Sequence, residues 1–155
     1  MLTRIVHANI VCSDIERSLK FYQDVLGAKV VAKIAGEESS EVGEAMGFNE
    51  PAKARAYMLS FGQGSKASPA TLIDLLQWVK PSVKGKPYRG LNHVGICRIA
   101  LAVDNVDKAY ADLKAKGVEF ISPPQDVDLA PRMQYRVCCL LDPDGVILEL
   151  ATPRM

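Results

Sequence analysis

Two segments of this 155-residue chain repeat the same pattern, and this repeat constrains the fold more than any other feature. Residues 7–31 align with residues 98–121 when His7 is placed over Arg98 and one residue is dropped inside the second predicted helix. An internal repeat implies that each copy builds one supersecondary unit and buries its apolar face against its twin. The chain is therefore expected to contain two modules of the same design.

The ends of the two copies also match, and they carry acidic residues. LIDLLQW at 72–78 aligns with ILELATP at 147–153, which places Asp74 over Glu149. Both acids interrupt apolar runs, and burying an ionised carboxylate is costly unless a cation compensates for it. The candidate site therefore consists of the polar residues at matched positions of the repeat, His7, Asp74, Arg98 and Glu149.

Each copy predicts the element order strand, helix, strand, strand, strand. Apolar residues recur at helical spacing within each predicted helix, and a glycine follows each helix where its end is expected. Ser13 with Glu16, and Asp104 with Asp107, are the predicted capping pairs at the helix starts. The predicted strands are residues 4–12, 28–34, 54–61 and 70–78 in the first copy and 95–103, 118–121, 134–141 and 145–151 in the second.

These elements predict an α+β fold in which two β-α-β-β-β modules form one cupped, half-open, eight-stranded barrel, because each helix has one apolar stripe and must cover a sheet. We expect a single domain, with module one at 1–79, a linker at 80–92 and module two at 93–155. Residues 122–132 are predicted to be an irregular loop that forms a lid or pocket wall. The sequence DPDG at 142–145 predicts the turn of the last hairpin.

Composition limits the classes of partner. Nineteen basic and eighteen acidic residues leave a formal net charge of +1, which argues against a nucleic-acid partner. No apolar run approaches the length of a membrane span and no signal peptide is evident, so we expect a cytoplasmic protein without a membrane partner. The four cysteines lack zinc-site spacing and are predicted to be buried free thiols.

Histidine and carboxylates on strands are typical of a divalent-metal site, for which Zn, Fe, Ni, Mn and Co are all suitable ions. His7, Asp74 and Glu149 are the candidate metal ligands. Arg98 cannot lose its proton and therefore cannot ligate a metal. His93 lies five residues before Arg98 and would face the other way on a continuous strand, so we interpret it as a surface or linker histidine.

Two motifs identify a family resemblance. H-x-x-I-x-x-x-D-x-x-x-S-x-x-F-Y-x-x-x-L-G at 7–27 and D-P-D-G-x-x-x-E-L at 142–150 resemble the vicinal oxygen chelate superfamily. This group includes glyoxalase I, methylmalonyl-CoA epimerase, extradiol dioxygenases, and the fosfomycin and bleomycin resistance proteins. The resemblance implies a small-molecule substrate, a homodimer and metal ligands at the four matched positions. The third of these positions is normally histidine, and here it is Arg98.

The first functional hypothesis is a metal-dependent enzyme that resembles the lyase and isomerase branch, of the glyoxalase I or epimerase type. A divalent ion held by His7, Glu149 and Asp74 would chelate two neighbouring oxygens of a small substrate and stabilise an enediolate. Glu149 or Asp74 would act as the general base. An extradiol dioxygenase is disfavoured because its iron triad needs two histidines and a carboxylate, and Arg98 removes one histidine.

The second hypothesis, from a different class, is a metal-free protein that binds and sequesters a small molecule. The guanidinium of Arg98 would replace the metal, either by bridging Asp74 and Glu149 or by holding an anionic group of the ligand. Trp78 or Tyr135 would provide a stacking wall for that ligand. Placing an arginine beside a divalent ion costs Coulomb energy, which favours the metal-free site. Both hypotheses stay open at this point.

Overall fold

The computed structural model describes residues 1–62 and 71–154, and the chain divides into two compact units, Met1–Gly85 and Lys86–Met155. Each unit is built on a four-stranded mixed sheet with helical segments, which confirms the predicted α+β class. No helix in the described part of the chain is long and apolar enough to cross a membrane.

Unit 1 follows the predicted order of strand, helix and three further strands. Its strands are β1 (His7–Val11), β2 (Lys29–Ala35), β3 (Lys53–Ser60) and β4 (Leu72–Lys80). Its helices are α1 (Ile15–Lys20), which continues into a π-helical turn at Phe21–Val25, and α2 (Ser40–Ala45). The strand order is β1-β4-β3-β2, and β1 runs parallel to β4 while the other neighbours are antiparallel. The predicted loop at 62–69 lies almost entirely outside the described residues.

The two faces of this sheet differ because side chains alternate along a strand. On one face Ile73 and Leu75 are buried, and Gln77 Nε2 donates to the carbonyl oxygen of Ser13 at 2.8 Å. Gln77 also accepts from the backbone N–H of Ile15 at 3.3 Å, so α1 covers this side. The opposite side, here called the Asp74 face, carries the side chains of His7, Asn9, Met58, Asp74, Leu76 and Trp78.

Unit 2 repeats the topology of unit 1. Its elements are β5 (Ile99–Ala102), α3 (Val106–Ala115), β6 (Gln125–Ala130), β7 (Met133–Leu141) and β8 (Ile147–Pro153). The strand order is β5-β8-β7-β6, with β5 parallel to β8, as β1 is to β4 in unit 1. The predicted repeat therefore extends from the sequence to the order and direction of the strands.

The helix α3 is fixed to its sheet by apolar packing and by one arginine. Val106 and Leu113 of the helix are buried, as are Cys138, Leu140, Leu148 and Leu150 of β7 and β8. Arg136 of β7 donates from Nε and Nη2 to the two carboxylate oxygens of Asp107, at 2.6 and 2.7 Å. This paired arrangement is the favoured geometry between guanidinium and carboxylate. The opposite side, here called the Glu149 face, carries Ala100, Tyr135, Val137, Cys139 and Glu149.

One predicted strand of unit 2 is wrong. Of the predicted strand 118–121, Phe120 forms an isolated bridge to Leu140, whereas residues 125–130, inside the predicted irregular loop, form β6. Polar and apolar residues alternate at residues 126–129 of QDVDLA, as is typical of a strand with one exposed face. The backbone of this segment forms its hydrogen bonds with the neighbouring strand β7. The segment is therefore part of the sheet rather than a lid.

Both predicted capping pairs are wrong by one residue. Asp14, not Ser13, is the N-cap of α1, and its Oδ1 accepts from two backbone N–H groups of the first turn at 3.1 Å each. Asn105, not Asp104, is the N-cap of α3, and its Oδ1 accepts from the N–H of Lys108 at 2.8 Å. Each helix begins one residue later than the capping-box pattern indicates, so the next short polar side chain takes the role.

The predicted helix ends are confirmed. Gly27 and Gly117 have φ angles of +80° and +83°, which side-chain-bearing residues rarely adopt. At the second of these ends the N–H of Gly117 donates to the carbonyl of Lys114 at 3.0 Å and that of Val118 to the carbonyl of Leu113 at 3.1 Å. This pattern is the Schellman motif, so the matched glycines mark equivalent points of the two units.

Replacing Asp14 with Ala is expected to lower the free energy of unfolding by about 1 kcal/mol, because two N–H groups of α1 lose their acceptor. Urea denaturation followed by circular dichroism measures this change. Ser13→Ala is the matched control and is expected to have the smaller effect. A larger loss for Ser13→Ala than for Asp14→Ala would contradict this assignment of the cap.

The segment between the sheets has no regular secondary structure from Pro81 to Arg98. β4 continues through Lys80, one residue into the predicted linker. His93 is exposed and stacks on Tyr88, with ring centroids 4.3 Å apart and an angle of 13° between the planes. His93 is therefore a surface histidine of this segment, as predicted.

The turn at DPDG is confirmed, and Asp142 organises it. The Oδ1 atom of Asp142 accepts from the backbone N–H groups of Asp144 and Val146, at 2.9 and 2.8 Å. The backbone N–H of Asp142 donates to the carbonyl of Val146 at 2.9 Å, which closes the hairpin between β7 and β8. This turn leads the chain into the strand that carries Glu149.

Candidate functional site

Asp74 lies in the middle of β4, directly opposite Asn9 of β1. The side-chain amide of Asn9 donates to Oδ2 of Asp74 at 3.0 Å and to the main-chain carbonyl of Asp74 at 3.2 Å. The other carboxylate oxygen, Oδ1, is buried and has no hydrogen-bond partner among the described residues. Leaving a buried acceptor unpaired costs on the order of 1–3 kcal/mol, more for a charged group. Such an arrangement is typical of a functional position.

His7 lies on the same face of β1 as Asn9, two residues earlier, and is exposed. Its register partner on β4 is Leu72, so it stands beside the Asp74–Asn9 pair rather than opposite Asp74. Sequence reasoning missed Asn9. The available signal was its spacing of two residues from His7, which places both on one side of a strand.

Trp78 is half-buried at the far end of the Asp74 face and contacts Phe48. The two rings meet edge to face, with centroids 5.0 Å apart and an angle of 87° between the planes. Phe48 is held there because its N–H donates to the carbonyl of Gly43 in α2 at 2.9 Å. Phe48 therefore extends the wall predicted at Trp78, and no pattern in the sequence pointed to it.

Arg98 immediately precedes β5, and its guanidinium binds Glu149 of β8. The Nε atom of Arg98 lies 2.7 Å from Oε2 of Glu149, and the side chains are 41% and 14% exposed. The residue directly opposite Glu149 on β5 is Ala100, whose methyl group leaves room for Arg98 to reach the carboxylate. The charge of Glu149 raises the pKa of the Arg98 guanidinium, which stays protonated at neutral pH.

Two thiols lie beside this ion pair. Cys139 is opposite Glu149 on β7, and the sulfur of Cys97 is 3.9 Å from Nη1 of Arg98. Burial, and then the charge of Glu149, raise the pKa of the Cys139 thiol, so it stays neutral near pH 7. All four cysteines are free, but only Cys12 and Cys138 are buried, which corrects the prediction for the other two.

Tyr135 is half-buried on the Glu149 face, four residues from Cys139 along β7. It is paired with Pro153 of β8 and Val127 of β6. Its predicted part in ligand stacking stays a prediction.

Neither unit by itself supplies a complete ligand set for a divalent metal among the described residues. Arg98 is a permanent cation and forms an ion pair with Glu149, so one position cannot ligate and another already has a cationic partner. Within either unit, no three His, Cys, Asp or Glu side chains among the described residues come together as a ligand set. Catalytic zinc sites use three protein ligands. In unit 1 only His7 and Asp74 share a face.

Comparison with known proteins assigns the family. The profile of the Glyoxalase/Bleomycin resistance protein/Dioxygenase superfamily matches residues 4–150. The chain belongs to this superfamily. This confirms the resemblance noted in the sequence. A lactoylglutathione lyase of Schizosaccharomyces pombe is 27% identical over 161 residues, which cover 96% of this chain and 47% of the lyase. The chain therefore spans about half the length of that relative.

Solved structures of other proteins show the same glyoxalase-like fold. A glyoxalase family protein from Bacillus cereus matches with a TM-score of 0.77 at 19% identity, covering 100% of this chain and 97% of the other. An antibiotic-binding protein from Streptomyces sp. CB03234 matches with a TM-score of 0.61 at 20% identity, covering 99% and 98%. At these identities the likeness shows the fold of this superfamily member and leaves its ligand to be inferred from its own residues.

Proposed function

We propose that this superfamily member binds a small anionic molecule without a metal, through the guanidinium of Arg98 on the Glu149 face. The observation that carries the proposal is the ion pair of 2.7 Å between Arg98 and Glu149, at two positions where the resemblance implies metal ligands. A guanidinium supplies a fixed positive charge there and satisfies the acid that a metal would otherwise bind.

The geometry of the pair leaves part of the guanidinium free for a ligand. Nε of Arg98 is engaged by Glu149, and Nη1 makes only the long contact of 3.9 Å to the sulfur of Cys97 among the contacts described. The terminal nitrogens form a planar fork that matches two oxygens of a carboxylate or two neighbouring oxygens of a keto acid. Because the pair is neutral overall, recognition depends on the direction of these N–H groups. Glu149 restrains that direction.

Metal content tests the metal-free part of the proposal. The purified chain is dialysed against Zn, Ni and Mn, then against buffer, and metal per chain is measured by mass spectrometry. We expect no stoichiometric metal in the natural chain, and we expect Arg98→His to gain metal affinity because it supplies the missing imidazole. One tightly bound ion per natural chain that is lost in His7→Ala would overturn the proposal and support a metalloenzyme.

The second candidate is a lyase or isomerase, supported by the likeness to a lactoylglutathione lyase and by the unpaired Oδ1 of Asp74. The Asp74 side chain as a whole is half-buried, and a partly buried carboxylate is suited to accept a proton from carbon next to a carbonyl group. The test incubates the chain with lactoylglutathione in heavy water and follows deuterium at the lactoyl C2 by NMR. Exchange that disappears in Asp74→Asn supports this candidate, and absence of exchange in the natural chain removes it.

Assembly as a homodimer and a cytoplasmic location stay predictions for this chain. Both were drawn from the resemblance or from composition, and neither depends on the Arg98–Glu149 pair. Sedimentation at micromolar concentration tests the first, and a sedimenting species of one chain would contradict it.

A further inference from the structure

We infer that residues 86–96 of one copy of this chain bind residues 37–50 of a second copy, so that two chains associate through a basic and an acidic surface. Residues 86–96 lie in unit 2 and are here called the basic segment. Residues 37–50 lie in unit 1 and are here called the acidic segment. Neither segment contains Arg98 or Glu149, so this contact goes beyond the proposed function without depending on it.

The basic segment carries large apolar side chains that are left uncovered. Val94 is fully exposed, and Ile96 and Tyr88 are 90% and 70% exposed. Residues 91–97 include no Lys, Arg, Asp or Glu. Apolar side chains that are exposed singly are common on protein surfaces, whereas several of them grouped together mark an interaction site. The segment therefore has the apolar centre that a protein interface needs.

The basic segment also carries positive charge without a counter-charge. Residues 75–103 contain five basic residues and no acidic residue. Two of the five, Lys86 and Arg89, lie in the basic segment, are exposed, and form no ion pair with another described residue of unit 2. Two basic segments that faced each other would bring like charges together, which is unfavourable at an interface. The surface that covers this segment is therefore expected to be acidic.

The acidic segment has the complementary charge. Residues 34–52 contain five glutamates and no lysine or arginine. Glu38 already forms an ion pair with Lys80 of β4. Glu37 and Glu44 are exposed and form no ion pair with another described residue of unit 1. Negative charge is thus available on this segment, as positive charge is on the basic one.

Apolar side chains accompany these glutamates as well. Val42 and Met46, in and directly after α2, are 40% and 58% exposed. The two segments therefore match in both respects, since each combines uncompensated charge of one sign with exposed apolar side chains. A second copy of the chain supplies the matching segment, and a formal net charge of +1 gives two copies little repulsion at long range. Because each copy carries both segments, two chains can form the same contact twice.

Sedimentation velocity at micromolar concentrations measures the association of the natural chain. The dissociation constant is expected to rise at least about 10-fold between about 50 and about 500 mM NaCl, because salt screens exposed charges. Val94→Ser is expected to weaken association by about 10-fold or more, since the burial of an aliphatic side chain is lost. Val31→Ser changes an exposed valine of β2 outside both segments and is expected to have no effect.

Reversal of charge tests whether the two segments meet between copies. One variant combines Glu37→Lys with Glu44→Lys, and the other combines Lys86→Glu with Arg89→Glu. Each variant alone is expected to be monomeric at micromolar concentrations, because segments of like charge would face each other. An equal mixture of the two is expected to recover the dimer, because the natural segment of each variant faces the natural segment of the other. The two reversed segments also attract each other in that mixture.

A third variant controls for net charge. Asp24→Lys combined with Glu119→Lys changes the net charge as much as the reversed acidic segment does, at exposed positions outside both segments. It is expected to associate like the natural chain. Circular dichroism of every variant identifies any that fails to fold. All the substituted side chains are exposed, so unchanged spectra are expected.

Three outcomes would overturn the inference. The first is a natural chain that stays monomeric at these concentrations, including one that instead binds vesicles containing phosphatidylserine through the basic segment. The second is a dimer that neither charge reversal dissociates. The third is a mixture of the two reversed variants that stays monomeric, because the segments would then not meet between copies. Failure of carboxylate binding at Arg98 leaves these outcomes unaffected, so the two proposals fail separately.

Discussion

Replacing Arg98 with Met is expected to weaken binding of small carboxylates by about 10- to 100-fold, because hydrogen bonds from a charged donor are each worth about 1.5–3 kcal/mol. Oxalate and pyruvate are suitable probes, since each presents two neighbouring oxygens to the guanidinium fork. Isothermal titration calorimetry of the natural chain and the variant gives the two dissociation constants. Met keeps most of the volume of the arginine stem and removes its five N–H donors.

Two further variants test whether carboxylate affinity depends on the position of Arg98 and on the paired N–H groups of its guanidinium, rather than on positive charge alone. Arg89→Met removes an exposed arginine elsewhere in unit 2 and is expected to leave carboxylate affinity unchanged. Arg98→Lys keeps a positive charge but presents a single ammonium group, so it is expected to recover only part of the affinity. If Arg98→Met and Arg89→Met bind oxalate equally well, the guanidinium of Arg98 is not the anion site.

Replacing Gly43 with Ala is expected to destabilise unit 1 by up to about 2 kcal/mol net, since forcing extra volume into a packed position costs about 1–3 kcal/mol. A Cβ at Gly43 would lie 2.2 Å from the carbonyl oxygen of Glu50 and 3.1 Å from its carbonyl carbon. Both atoms are backbone, so the neighbouring chain must move. The gain in helix propensity of Ala over Gly, about 1 kcal/mol, offsets only part of this cost.

The effect of Gly43→Ala should also reach Phe48, whose N–H donates to the carbonyl of Gly43. Guanidinium denaturation followed by circular dichroism measures stability, and Trp78 fluorescence reports the displacement of Phe48. Gly36→Ala is the matched control, because a Cβ there would meet only the carbonyl oxygen of Ala54, at an ordinary 3.8 Å. Equal stability of the two variants would contradict this prediction, because it would show that α2 can shift away from Glu50 at no cost in free energy.

The topology was largely predictable because the repeat acts on whole elements. Matching Gly27 with Gly117 located both helix ends, and DPDG located the last turn. Finer features depend on interactions that no local pattern contains. β6 is a strand because β7 is available to pair with it, and Asp14 is a cap because α1 begins at Ile15. The sequence predicted an irregular loop at 122–132, and the capping-box pattern placed the cap of α1 one residue too early, at Ser13.

The acids of the candidate site were predictable, and their partners were not. Asp74 and Glu149 interrupt apolar runs at matched positions, which is visible in the sequence. Asn9 becomes the partner of Asp74 only through the parallel register of β1 on β4. Phe48 reaches Trp78 only through the chain reversal after α2. Register and loop closure are tertiary properties, so the sequence pattern carried no signal for either residue.

The residue directly opposite each acid differs between the units, and this has an evolutionary consequence. In unit 1 that residue is Asn9, whose side-chain amide donates a hydrogen bond to Asp74. In unit 2 it is Ala100, which has no polar side chain, and Glu149 forms an ion pair with Arg98 instead. One face therefore presents a carboxylate held by a neutral amide, and the other a carboxylate already neutralised by a cation. Two matched positions beside the acid differ between the copies, His7 against Arg98 and Asn9 against Ala100, and together they alter which ions a face attracts. Ligand preference can thus diverge between the copies while the strands, turns and core of both stay the same.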